Sequence, residues 1–218
     1  MAGIITILQK ELASFIGSDK GVFGVYAIIV AVWSFMFLFG EDGVGGQLWF
    51  VFFSVIVAAN FSSTVFISER INGTLEILIT SGLSRDAILL GKMIFIIIMT
   101  AVIGFSCAVL AGVLGIMLPG IESARTFGFY DAVLYLSATF LNVASSAYFS
   151  VRLSNPRLLH FINIFILGAI ITVYSAASSL FSLHHYSLAA GFLLIGALFA
   201  FLAKKEFAGE RIVQPVIL

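Results

Sequence analysis

The residue types best suited to chemistry are scarce in this 218-residue sequence and are not assembled for it. Its three histidines are His160, His184 and His185, and its one cysteine is Cys107. His184 and His185 adjoin each other, but no carboxylate or thiol stands near them to complete a metal ligand set. A single cysteine builds neither a disulfide framework nor a cysteine-rich metal site. A phosphate-binding loop needs Gly, four residues, then Gly-Lys and Ser or Thr. The Gly-Lys pair here, Gly91-Lys92, is followed by Met93, and Asp86 stands five residues before Gly91. No catalytic residue, metal or cofactor is therefore expected in this chain.

What the sequence does offer is hydroxyls and amides at helical spacing. Asn60 and Thr64 stand four apart, as do Asn142 and Ser146, while Gly168, Thr172, Ser175 and Ser179 share roughly one helical face. Gly104, Ala108 and Gly112 form a small-residue stripe at the same interval. Two readings stay open. These positions could line a weakly polar translocation pathway, or they could be packing surfaces on which small residues admit close approach and hydroxyls bond between helices.

The elements that must position these residues follow from composition. Hydrophobic residues make up 61% of the chain and charged residues 10%, against roughly 25% charged in soluble domains. So few charges cannot cover a soluble surface. Six apolar stretches approach the ~20 residues needed to cross a bilayer: about 22–39, 48–67, 88–117, 131–150, 158–182 and 186–203. The uninterrupted apolar part of the third begins at 93 and of the fourth at 132, and within these runs the one ionisable residue is His160. A charge at mid-membrane costs on the order of 3 kcal/mol, so a charge-free interior speaks against ion-coupled carriers and intramembrane enzymes. Continuous runs rather than ten-residue alternation favour helices over a barrel. The expected fold is an all-α integral membrane protein forming a single transmembrane domain over 1–218.

Orientation follows from the basic residues. With the N-terminus in the cytoplasm, Lys10, Lys20, Arg70, Arg85, Lys92, Arg152, Arg157, Lys204, Lys205 and Arg211 fall on the inner side, and only Arg125 falls outside. Both termini are then cytoplasmic, in the cell (inner or plasma) membrane. The sequons at Asn60 and Asn72 fall in a span and on the cytoplasmic side, so neither is expected to be glycosylated. Residues 3–17 place Ile4, Ile5, Leu8, Leu12, Phe15 and Ile16 at helical intervals, with Gln9, Lys10 and Ser14 between them. That pattern predicts a helix lying in the interface, or else an inward extension of span one.

The loop over 68–86 is the most informative segment. Glu69 and Arg70 end an apolar run, Asn72-Gly73 is a turn signal, and Thr74 is positioned to cap a short helix. Leu75, Leu78 and Ile79 then share one face, and Ser81-Gly82 closes the helix. A second helix from about Arg85 to Met117 would be roughly 48 Å long, so its first turns must project from the bilayer.

The series Glu69-Arg70-x-x-Gly73-Thr74-Leu75-Glu76, Ser81, Leu83-Ser84-Arg85 and Leu90-Gly91-Lys92 resembles the permease subunits of ABC-2 type ABC transporters. Arg152-Leu153-Ser154-Asn155-Pro156-Arg157 resembles a second segment of that family, at the cytoplasmic lead into span five. The resemblance implies six transmembrane helices, a dimer with a second permease copy, and a cytoplasmic ABC ATPase in two copies carrying ATP and Mg. It also implies a coupling helix near Gly73–Ser81, with Gly73, Thr74, Leu75, Glu76, Leu78 and Ser81 against the ATPase. Glu69 and Arg70 would form an inner gate whose opposite charges pair between subunits. By the same resemblance the substrate would be an exported lipid, peptide, drug or other amphiphile. Two features depart from the family: Gly82 stands where many relatives have Pro, and residues 158–203 leave almost no room for re-entrant helices between spans five and six. A haem-exporter subunit of cytochrome c maturation and a non-transporting membrane scaffold or sensor are the alternatives.

Overall fold

The computed structural model describes residues 2–17, 20–38, 44–118, 127–153, 155–180 and 186–208, and these are helical apart from short turns. Helix α1 covers Ala2–Ile16 and α2 Lys20–Leu38. Helix α3, Val44–Ser62, runs on through a π turn at Ser63–Ser68 into α4, Glu69–Ile71. After Asn72 and Gly73 come α5, Thr74–Thr80, and the long α6, Arg85–Met117. Helices α7, Phe129–Ser150, α8, Pro156–Leu180, and α9, Tyr186–Ala208, are the remaining described elements.

Among the described residues, five helices are long and apolar enough to cross a membrane: Trp49–Ile67, Arg85–Met117, Phe129–Ser150, Arg157–Ala177 and Tyr186–Phe207. The apolar stretch Phe23–Leu38 of α2 is shorter. Their composition leaves no other way to hide the backbone, because in lipid every peptide group must bond within its own segment or within a closed barrel.

The core forms where α3, α6, α7 and α9 meet. Phe50, Phe53, Tyr135, Val143 and Ala203 are buried there, and α1 joins the same cluster through Ile7. A second cluster gathers Val51 and Val55 of α3, Leu134 and Leu141 of α7, Leu167 of α8 and Phe192 of α9. Close approach is made possible by glycine at two crossings. A Cβ on Gly104 would collide with the Tyr135 ring, and one on Gly196 would lie 2.8 Å from Phe140. Gly112 and Gly168, by contrast, have open space beside them.

Helix α8 is the outlier. Phe161, Phe165 and Val173 are 76%, 77% and 69% exposed, and an apolar groove of about 360 Å³ opens between α8 and α9. Only residues 181–185 separate the two helices, so the connection is as short as the sequence requires. His184 and His185 lie there, outside the described residues, as do Arg125, Ser154 and Arg211.

The interior is not charge-free. Lys92 lies eight residues into α6 and is 0% exposed, with Glu11 beside it at 5%. Two features of packing bury Lys92, which the sequence places at the edge of an apolar run. Helix α6 continues unbroken from Arg85, which carries Lys92 about two turns inward, and α1 lies across it. Gly91 is what lets α1 come so close, since a Cβ there would stand 2.7 Å from Ile7 Cβ.

Candidate functional site

Charge in the described chain collects at one end of the bundle. Lys204 near the end of α9 pairs with Asp86 in the first turn of α6 at 2.8 Å. Arg152, between α7 and α8, bonds Glu206 at 2.6 Å and stands over the Tyr148 ring. The Glu206 carboxylate beside it holds the Arg152 guanidinium above its ordinary value, first through the hydrogen bond and then through charge attraction. At the same end Asn155 Oδ1 accepts from the Arg157 amide at 2.9 Å, with Pro156 as the first residue of α8. An amide cap followed by proline at the first helical position is a strong helix start, which gives Asn-Pro-Arg a local structural reason.

The short helix α5 projects at this end between two glycines in the left-handed region, Gly73 at φ 71° and Gly82 at φ 81°. It runs over Thr74–Thr80, inside the Gly73–Ser81 segment singled out in the sequence, and its cap is Gly73 rather than Thr74. A left-handed residue reverses the chain after α4, and glycine adopts that conformation without steric cost. Thr74 opens the helix instead, and its Oγ1 donates to the Glu69 carbonyl at 3.1 Å. At the far end the Ser81 amide donates back to the Leu78 carbonyl.

Of the Leu75, Leu78 and Ile79 face read in the sequence, Leu78 has a described side chain. Leu78 packs half-buried against the core, as does Leu83 beyond the helix. Ile77 points away and is 67% exposed, in company with exposed Thr74, Thr80 and Ser81. The side chains of Arg70, Leu75, Glu76, Pro156 and Ser179 lie outside the described set, and only their backbone is placed.

Behind α5 lies a closed ring of four charges. Lys92 Nζ donates to Glu11 Oε1 at 3.2 Å, to the Val65 carbonyl at 2.7 Å and to Glu69 Oε2. Lys10 Nζ donates to Glu11 Oε1 at 3.0 Å and to Glu69 Oε1. Both Glu69 oxygens are thus engaged inside one copy, whereas the family resemblance had opposite charges meeting between subunits. Lys10, part-exposed, feels burial acting against its charge, but bonds and attraction from Glu69 and Glu11 outweigh it and hold its ammonium above the ordinary value. Two positive and two negative groups alternate around the ring, so it is neutral as a unit. Sequence reasoning missed it, although Glu11 falls on the inward stripe of α1 between Ile7 and Phe15. Charge on the face that a helix buries is the signal that could have found it.

The pathway candidates separate into two sets. Asn142 and Ser146 are buried within the one chain: Asn142 Nδ2 donates to Ser54 Oγ at 3.3 Å, and Asn163 Nδ2 donates to Ser146 Oγ at 2.7 Å. Ser145 Oγ also donates to Asn163 Oδ1 at 2.7 Å, so α3, α7 and α8 share a neutral seam. Thr64, Thr172 and Ser175 are exposed and Asn60 is half-buried. Thr64 and Thr172 bond carbonyls four residues back, at Asn60 and Gly168. Among the described residues no group of His, Cys, Asp and Glu is disposed to hold a metal ion.

A bundle of helices long and apolar enough to cross a bilayer is the form of a multi-pass membrane protein. The family described as ABC-2 family transporter protein matches residues 16–204, and the chain belongs to that family. It is accordingly a transmembrane subunit of an ABC transporter, and the family implies an ABC ATPase as partner. Comparison with curated proteins and with solved structures gives no match.

Proposed function

We propose that this chain exports an amphiphile (a lipid, peptide, drug or similar molecule) as one half of a dimeric permease, driven by a separate ATPase that engages α5. The observation that carries the reading is the disposition of Thr74–Thr80. The helix is set between two left-handed glycines, fastened to the bundle through Leu78 and free on its Ile77 side. An exposed apolar residue on a rigid helix fits a helix-in-groove contact with a soluble partner.

In this reading α2, whose 19 residues are apolar after Lys20, is the sixth span, and the charged end faces the cytoplasm. Lys10, Arg85, Arg152, Arg157, Lys204 and Lys205 then obey the positive-inside rule. Helix α1 lies in the inner interface, with Ile5, Leu12 and Ile16 toward lipid at 53%, 45% and 63% exposure. The second permease copy covers the exposed face of α8, where Phe161, Phe165 and Val173 await a neighbour and Thr172 and Ser175 add weak polarity. Closure of the ATPase on ATP displaces α5, and the motion repacks α3 and α8 about the dimer axis.

The test is co-purification with candidate ABC ATPases, any encoded beside it first, followed by ATP hydrolysis in nanodiscs across a panel of amphiphiles. The expected result is a stable complex whose hydrolysis one compound class stimulates. No complex with any candidate ATPase would sink the reading and favour a scaffold or sensor.

A further inference from the structure

We infer that Lys92 is a positioning residue for the α5 helix, acting through Glu69, and that α1 holds Lys92 in place through Glu11. Its role in transport rests on the reading of α5 as the ATPase-docking helix. The tie itself stands on geometry alone.

An ammonium carries three N–H donors. Those of Lys92 meet three acceptors: Glu11 Oε1 on α1, the Val65 carbonyl in the π turn and Glu69 Oε2 on α4. At 0% exposure no solvent replaces a lost partner. One side chain of α6 therefore joins three other segments. The π turn contributes to this arrangement by presenting the Val65 carbonyl, and such widened turns occur frequently at functional sites. From Glu69 the tie continues along the backbone, because its carbonyl accepts from Thr74 Oγ1 at the first residue of α5. Leu78 fixes the other end of the short helix against the core.

A push on α5 consequently has few ways to relax locally. If α4 slips, Lys92 loses a buried acceptor and gains nothing. If it does not slip, the π turn, α6 and α1 must travel with α5. Lys10 closes the ring from the half-exposed side, holding the second Glu69 oxygen to the same Glu11. Helix α1 is thereby made part of the coupling unit, although it is remote from α5 in sequence.

A purely structural staple would show itself only in stability, so the test must separate stability from position. Lys92→Met alone leaves Glu11 and Glu69 short of a cation and could fail to fold. Lys92→Met combined with Glu69→Leu removes one charge of each sign and leaves Lys10 paired with Glu11, the kind of exchange that buried ion pairs tolerate. Spin labels at Ile77→Cys and Ser14→Cys, both exposed positions, report the α5–α1 distance on the chain alone, with buried Cys107 left in place. We expect one narrow distance distribution in the parent and a broad one in the double variant at near-parental thermal stability. In the ATPase complex, substrate moved per ATP hydrolysed should fall about tenfold, within the range for residues that modulate coupling between sites. A double variant with the parent's narrow distribution overturns the tie. A broadened distribution with unchanged substrate per ATP overturns the role in coupling, and a parent chain that binds no ATPase overturns the docking reading instead.

Discussion

The ring of Lys10, Glu11, Glu69 and Lys92 and the seam of Ser54, Asn142, Ser145, Ser146 and Asn163 both put polar groups inside an apolar bundle, yet they are built from different materials. The ring uses full charges and joins α1, α4 and α6 at the end where α5 emerges. The seam uses only amides and hydroxyls and joins α3, α7 and α8. Neutral bonds between helices in lipid contribute about 0.6 kcal/mol on average, because unassembled helices find other partners. Charges behave otherwise: a buried ion that loses its counterpart has no substitute. A neutral seam gives way at modest cost, whereas a charge ring makes slippage of α4 against α6 costly.

That comparison predicts a graded response. Lys92→Met strikes the ring where it is wholly buried and should cost about 3–5 kcal/mol, the usual penalty for breaking a buried pair, read as a lowered thermal midpoint in detergent. A loss no larger than that of a seam variant would erase the distinction. Gly91→Ala leaves every charge in place but pushes α1 away, since the new methyl meets Ile7 Cβ at 2.7 Å. Overpacking of this kind costs about 1–3 kcal/mol, and amide exchange in α1 should rise with it. Asn163→Leu keeps volume while removing the bonds to Ser145 and Ser146. Ser145 retains the Asn142 carbonyl at 3.1 Å, so the loss should stay near 1 kcal/mol.

The smallest effect concerns pH. Lys10 is raised in the folded state, so its contribution is fully present below its ordinary value near 10.5 and fades as pH climbs through the raised one. Unfolding midpoints followed upward from pH 9 should therefore fall more steeply in the parent than in Lys10→Met. Its side chain is 37% exposed, so added salt should blunt the difference.

Much of the frame was legible in the sequence because hydropathy states it directly. The bounds of α6 and α5, the turn at Asn72-Gly73 and the short α8–α9 connection follow from run lengths and turn residues. The ring was not legible, because a lone Lys at the edge of an apolar run looks the same whether it faces headgroups or a neighbouring helix. Only the third dimension decides, through Gly91 and the angle at which α1 crosses. The apolar side of α5 was legible through Leu78, but whether that side meets the bundle or another chain was not, and packing against the core decides it. Asn142 and Ser146 likewise stand at a spacing that suits a pathway, and their partners Ser54 and Asn163 lie too far along the chain for pattern to reveal.

The central claim, that α5 docks through its Ile77 side while Leu78 anchors it, is most directly tested by binding of the partner ATPase to two single variants. Ile77→Asp should leave thermal stability at the parental value and weaken the complex by at least about thirtyfold, as loss of a hot spot of about 2 kcal/mol does. Leu78→Asp should instead lower stability, because it places a charge against the core. Unchanged ATPase affinity in Ile77→Asp would contradict the account.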